Sequence, residues 1–193
     1  MTRFPRLLLI AGLALALAAC SQTNQTLRLS PNPPETGPLI GDGASVGFQV
    51  IDTRNDRDLG VLENPDGSIV RLTAEQDVAY AVQLAAAQAL RGYDFDPGLW
   101  DAGHAPRLEI RITTLEHEVT AGVPYALETE IALEATAWVQ GDRYTTRARA
   151  TASDQRPLPP RASTNTEAIE KAITRALTQL LDAPLAEFLA GNR

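Results

Sequence analysis

From Ala44 onward, apolar and polar residues alternate along the chain in two rhythms. Val46, Phe48 and Val50 alternate with Ser45, Gly47 and Gln49, the period of two that predicts a strand. After a polar turn at 55–58, residues 59–62 and 68–72 flank Asn64-Pro65-Asp66-Gly67, which is a hairpin signal. Thr73-Ala74-Glu75-Gln76 has capping-box spacing, although Asp77 interrupts the hydrophobic staple. Val78, Val82, Ala85, Ala86 and Ala89 then follow at helical spacing, with Gly92 where a C′ glycine belongs. Leu108, Ile110 and Ile112 alternate with Glu109, Arg111 and Thr113 in the next strand. A longer one carries Leu127, Ile131, Leu133, Ala135, Ala137 and Val139 against Glu128, Glu130, Glu134 and Trp138. Gly141-Asp142 reads as a two-residue turn, which places Glu134 opposite Arg149 and Thr136 opposite Arg147 on the strand returning over 144–152. Pro157, Pro159 and Pro160 then break the chain. Thr164-Asn165-Thr166-Glu167 opens a last helix with the stripe Ile169, Ile173, Ala176, Leu177 and Leu180, and Pro184 kinks or restarts it before Phe188. The order β, hairpin, α, β, β, β, α predicts an α+β fold over residues 44–193. It has two layers, a mainly antiparallel sheet with two helices packed on one face.

The chain before Ala44 follows neither rhythm. Residues 21–43 hold Pro31, Pro33, Pro34, Pro38, Gly37, Gly41 and Gly43 and read as a partly stiff tether, able to reach at most about 75 Å. Ahead of it, Arg3 and Arg6 precede an uncharged apolar run from Leu7 to Leu17, too short for a mature membrane span and built like a signal peptide. The run ends in Leu17-Ala18-Ala19-Cys20 and resembles a bacterial lipoprotein signal with its lipobox. That resemblance implies removal of residues 1–19, diacylglycerol on the Cys20 sulfur and an acyl chain on the new amine. Several chains together anchor stably, since each buried methylene contributes about 0.8 kcal/mol. Ser21 is not the aspartate associated with inner-membrane retention, so the resemblance implies the periplasmic face of the outer membrane.

Composition narrows the remaining choices. With 44% hydrophobic and 21% charged residues, the chain is too apolar for disorder and too sparsely charged for a coiled coil. Seventeen basic and 24 acidic residues give a net charge of −7, against binding nucleic acid by counterion release. Loss of the leader removes two arginines and lowers the charge to −9, with no basic patch to supplement the lipid. A lone cysteine cannot form an internal disulfide or a cysteine-rich zinc site.

Candidate chemistry is sparse. Gly43-Ala44-Ser45-Val46-Gly47 matches the letters of a nucleophile elbow, but a tether precedes the serine and a strand follows it, the reverse of the strand–turn–helix the elbow needs. His104 lies in a Gly/Pro turn. His117 sits between Glu116 and Glu118, which strand alternation sends to the opposite face, so the three do not converge on an ion. Asp52, Asp56 and Asp58 faintly suggest a calcium loop, but Arg54 and Arg57 bring positive charge into it; Asp52 and Arg54 are expected to brace the first strand and its turn. Catalytic residues, metal ligands and cofactors are therefore expected to be none, apart from the lipid on Cys20. The row Glu128, Glu130 and Glu134 with Arg147 and Arg149 forms a charged surface on which Trp138 can serve as aromatic anchor. Tyr93, Phe95 and Trp100 form a second aromatic cluster after the first helix. Trp138, Arg147, Arg149 and Tyr93 are the candidate partner-binding residues.

The lipobox, the stretch Val46-Gly47-Phe48-Gln49-Val50-Ile51-Asp52-Thr53-Arg54, the hairpin end Ile69-Val70-Arg71-Leu72-Thr73 and the helix end Leu90-Arg91-Gly92-Tyr93 together resemble the YajG family of proteobacterial envelope lipoproteins. The departure is compositional: alanine and arginine are heavy, and Lys171 is the single lysine. The resemblance implies an outer-membrane lipoprotein and brings no catalytic residues. The expected function is non-enzymatic binding of an envelope protein partner. The alternatives are an envelope hydrolase acting on peptidoglycan or lipid, and a carrier of an amphiphile.

Overall fold

The period-two segments pair into one sheet. The computed structural model describes residues 24–35 and 37–191, and the lipobox, including Cys20, lies outside them. Eight strands are described: β1 (Gln25–Leu27), β2 (Ser45–Asp52), β3 (Gly60–Glu63), β4 (Ile69–Ala74), β5 (Asp96–Leu99), β6 (Arg107–Thr120), β7 (Tyr125–Val139) and β8 (Asp142–Arg156). Three helices accompany them: α1 (Val78–Gly92), α2 (Ala162–Leu180) and α3 (Ala183–Leu189). The fold is α+β in two layers, with helices over a curled sheet. Antiparallel pairing of β6 with β7 and of β7 with β8 makes the two longest ladders. The other edge of β6 is shared: β2 lies parallel to its first half and β3 parallel to its second. The sheet is therefore mixed away from the long hairpins.

A bulge between Ile112 and Thr114 makes this sharing possible. Leu108, Ile110 and Ile112 face the core at even positions, and Leu115, His117 and Val119 at odd ones. One extra residue changes the parity, so both halves of β6 keep their apolar side on the helices. Where β3 meets this strand, Gly60 has φ +152, and a Cβ there would collide with the His117 carbonyl. The close approach needs glycine.

Asp52 and Arg54 brace the end of β2 as expected. Arg54 Nη2 lies 2.8 Å from Asp52 Oδ2, with both side chains buried. Arg54 Nη1 donates to the carbonyls of Asp58 (3.0 Å) and Leu115 (3.2 Å), tying the turn to β6. Burial opposes ionisation of Asp52, but the hydrogen bonds and charge of Arg54, with Arg57 beyond, outweigh it and hold the carboxyl below its usual range. Removing one member of such a pair strands the other, at a typical cost of about 3–5 kcal/mol.

Several local expectations need correction. The cap of α1 is Asp77, whose side chain accepts from Ala79 N, and not Thr73, because β4 continues through Ala74. Gly92 is the last helical residue, and Asp94 takes the positive φ of 67° that ends the helix. Helix α2 starts at Ala162, two residues before Thr164, without a side-chain cap. Its Asn165 is turned into the core instead. Pro184 restarts the chain as α3 behind the Asp182 cap, as expected.

The largest correction concerns the tether. β1 pairs in parallel with β4, and Leu27 and Leu29 are buried in the core. Glu75 N donates to Leu27 O (2.8 Å), and Thr174 Oγ1 on α2 donates to Asn32 O (2.9 Å). Ile40 and Gly41 bond to the carbonyl of Tyr93. The prolines that suggest a linker belong to a segment strapped across the domain, and the folded unit begins by Gln25.

A buried polar chain fastens that strap. His117 is 1% exposed; its Nδ1 lies 2.7 Å from Thr129 Oγ1 and its Nε2 3.2 Å from Asn165 Oδ1. Asn165 Nδ2 in turn donates to Gln25 Oε1 at 2.9 Å. Since Asn165 Oδ1 can only accept, Nε2 carries the proton and the neutral imidazole satisfies the chain. Burial lowers the His117 pKa below 6.5, against a smaller opposing effect of the Asn165 hydrogen bond. The unfolded chain therefore binds the proton more readily, so the contribution is full above pH 6.5 and is lost as pH falls below it. The unfolding free energy from denaturant titration should fall across that window, by no more than about 1.4 kcal/mol per pH unit from this group, and His117→Gln should flatten the slope. An unchanged slope in His117→Gln would contradict this role.

Candidate functional site

Helices cover one side of the sheet, and the other side is its open face. On it, β6 presents Glu109, Arg111, Glu116 and Glu118, β7 presents Glu128, Glu130, Glu134 and Trp138, and β8 presents Arg143, Arg147 and Arg149. Charge pairs run across the middle. Arg147 Nε lies 2.6 Å from Glu134 Oε2, Arg149 Nη2 lies 2.6 Å from Glu130 Oε2, and Arg111 Nε lies 2.7 Å from Glu109 Oε1. Glu109 also accepts from Gln49 Nε2 at 2.6 Å. The arginines in these pairs are half or more exposed, so each contact contributes about 0–1 kcal/mol.

The register differs from expectation by two residues. Gln140 (φ 51°) and Gly141 (φ 97°) are the two turn residues, and Val139 pairs with Asp142. Two consecutive positive φ angles make the hairpin turn here, so the turn starts one residue earlier than Gly141-Asp142. Glu134 therefore faces Arg147 rather than Arg149, and Thr136 faces Thr145 rather than Arg147. A shift of two preserves the side of the sheet, so Arg147 and Arg149 remain on the open face.

The two ends of the face differ in chemistry. At the end near the β7–β8 turn, Trp138 pairs directly with Arg107 on one side and Arg143 on the other. The Arg107 guanidinium carbon stands 4.8 Å and that of Arg143 5.9 Å from the ring centroid, in cation–π range. Trp100 meets Trp138 edge-on, with centroids 5.9 Å apart and planes at 66°. At the opposite end, Glu116 faces Glu130 and Glu118 faces Glu128, with Thr151 and Ser153 beside them in a shallow groove. Like charges directly opposite cost stability, and solvent with Arg149 makes this arrangement tolerable. The face is cationic and aromatic at one end and acidic at the other.

Not every candidate residue belongs to it. Tyr93 is only 5% exposed and its hydroxyl donates to Leu181 O at 2.9 Å, so it is a core residue tying α1 to the α2–α3 junction. Phe95 is buried with it. The second aromatic cluster is thus split, because Trp100, beyond β5, crosses to Trp138. Arg107, Arg143 and Trp100 belong to the site and were not expected there. The true turn position would have put Arg143 opposite Trp138, whereas no sequence signal pairs Arg107 with either. His117 lies beneath the face, with Glu116 and Glu118 on the other side of the strand. Ser45 opens β2 between β5 and β6, without a helix to follow. Among the described residues, no group of three or more His, Cys, Asp or Glu is placed to hold a metal ion.

These features define a helix-backed α+β domain with one polar, charge-graded open face. A family model described as "Uncharacterized lipoprotein" matches residues 31–190, and the chain belongs to that family. The match agrees with the YajG-like resemblance of the lipobox and the first strand. No curated protein matches the chain. Among solved structures, protein XCC0632 from Xanthomonas campestris is similar at 14% identity and TM-score 0.49, over 86% of this chain and 96% of that one. A minor lipoprotein from Acinetobacter baumannii is similar at 12% identity and TM-score 0.37, over 77% of this chain and 95% of that one.

The register predicts a pattern of coupling. In double-mutant cycles by denaturant unfolding, alanine at Glu134 and Arg147 should couple by about 0.2–1 kcal/mol, while Glu134 with Arg149 should be additive. Coupling only in the second pair would restore the alternative register.

Proposed function

We propose that the protein is a non-enzymatic lipoprotein, anchored through acylated Cys20 to the periplasmic face of the outer membrane, that binds an envelope protein partner through the open face of its sheet. The observation that carries this reading is the Trp138 cluster. A tryptophan held between Arg107 and Arg143 on an uncovered sheet face combines the residue types that dominate interface energetics. The acidic end of the same face gives a docking partner a direction, since complementary charge sets orientation and encounter rate more than affinity. Membership of a lipoprotein family supports an anchor, and the lipobox-like Leu17-Ala18-Ala19-Cys20 favours Cys20 as its site. No helix among the described residues is long and apolar enough to cross a membrane.

The test is photo-crosslinking in cells from positions 138, 147 and 149, read by mass spectrometry. One dominant crosslinked envelope protein is expected, with loss of most of that product in Trp138→Ala at the flanking positions and in Arg149→Glu at position 138. Crosslinks that remain diffuse, or that ignore both substitutions, would contradict a docking face.

A further inference from the structure

The strapped N-terminal segment leaves little chain between lipid and fold. Four residue steps separate Cys20 from Asn24, the first described residue, and they span at most about 14 Å. Asn24 itself is fixed at one end of the sheet. Its Oδ1 accepts from Arg71 N at 3.3 Å, Arg71 pairs with Val61, and Val61 pairs with Glu118 on β6. Asn24 therefore stands level with Glu118, close to where β6 ends at Thr120.

Three connections project beyond that level: the β3–β4 turn at 64–68, the β6–β7 turn at 121–124, and the chain at 157–161 leading into α2. Each carries or adjoins an exposed large apolar side chain. Val123 is 98% exposed, Leu158 72% and Ile69, first in β4, 59%. By register Ile69 lies two residues past the level of Asn24, and Val123 and Leu158 five residues along the chain, roughly 7 Å and at most about 17 Å, a span comparable to the reach of the chain back to Cys20. Exposed apolar residues also occur elsewhere, Leu99 most prominently. Leu99 is in register with Phe48 and so with Leu108, about ten residues back along β6 and roughly 30 Å from the level of Asn24. An anchor at Cys20 cannot bring that end to its own membrane while the tips point at it.

We propose that this end of the sheet rests on the lipid bilayer, with Ile69, Val123 and Leu158 seated in the headgroup region around the acylated N-terminus. The inference rests on the lipid-anchor reading of Cys20. This end is net acidic, Arg156 and Arg161 against Glu63, Asp66 and Asp154 with Glu118 and Glu128 at the level of Asn24, so attachment is through lipid and apolar side chains and not through attraction to anionic headgroups. The consequence is orientation. The Trp138 cluster lies at the far end of β7, roughly 45 Å along the strand from Tyr125, and is held out into the periplasm by the sheet itself.

The experiment uses the acylated protein in phosphatidylethanolamine–phosphatidylglycerol vesicles. Acylation blocks the Cys20 sulfur, so a cysteine introduced by Val123→Cys, Leu158→Cys or Leu99→Cys is the one thiol open to a nitroxide label. Positions 123 and 158 should lose collisions with a water-soluble nickel relaxant and gain collisions with oxygen, while position 99 behaves as in water. A flexible insertion of about twelve Gly and Ser residues between Ser21 and Asn24 should return position 123 towards water. If wild type fails to float with vesicles and its first peptide carries no acyl mass, the anchor reading fails. If it floats but position 123 remains in water, or position 99 is the one that meets lipid, the orientation is overturned.

Discussion

Three residues, Gln25–Leu27, paired with β4, govern how the rest of the molecule meets its surroundings. Without that pairing, a Pro- and Gly-rich stretch would let the domain wander at up to about 75 Å from the proposed anchor at Cys20. With it, the chain is committed to one end of the sheet within four residues of Cys20. The strap is held by more than a short ladder. Leu27 and Leu29 bury their side chains, and the chain from Thr129 through His117 and Asn165 to Gln25 joins it to β6, β7 and α2. A strand this short would be marginal alone, and the buried contacts make it part of the core.

The second constraint is the continuity of β6. It pairs with β7 along its length while giving half of its other edge to β2 and half to β3. The bulge at Thr113 keeps both halves facing the helices, and the Asp52–Arg54 bridge fastens the end of β2 where the bulge falls, through the carbonyls of Asp58 and Leu115. A long ladder with one buried side leaves the other side free, and that free side carries the charge gradient from Trp138 to the Glu118–Glu128 pair. Fold and candidate site are thus two faces of one strand arrangement.

The periodicities along the chain carried the long elements well, because strands and helices that bury one side must repeat at two or 3.6 residues. They carried the caps poorly. Asp77 caps α1 although Thr73 opens the better-looking box, since tertiary pairing of β4 takes Thr73 away. Asn165 falls in the stretch expected to open the last helix and is instead a buried hydrogen-bonding partner of His117. The β7–β8 register was missed by two residues because Gln140, a residue without a strong turn preference, adopts positive φ. The strap was missed because Leu27 and Leu29 are too few to show a period, and Pro31 to Pro38 suggests a linker. Arg107 could not be placed at Trp138 from the sequence, since long-range pairing sets that contact.

Hydrogen exchange at the amides of residues 25–29, in the acylated full chain, tests the central claim most directly. A strap stitched into the sheet should exchange those amides as slowly as the paired residues of β4, with protection extending to Glu75, whose amide bonds to Leu27. Exchange at the rate of an unstructured peptide would mean that the segment is a tether after all, and that the domain has no fixed orientation on its membrane.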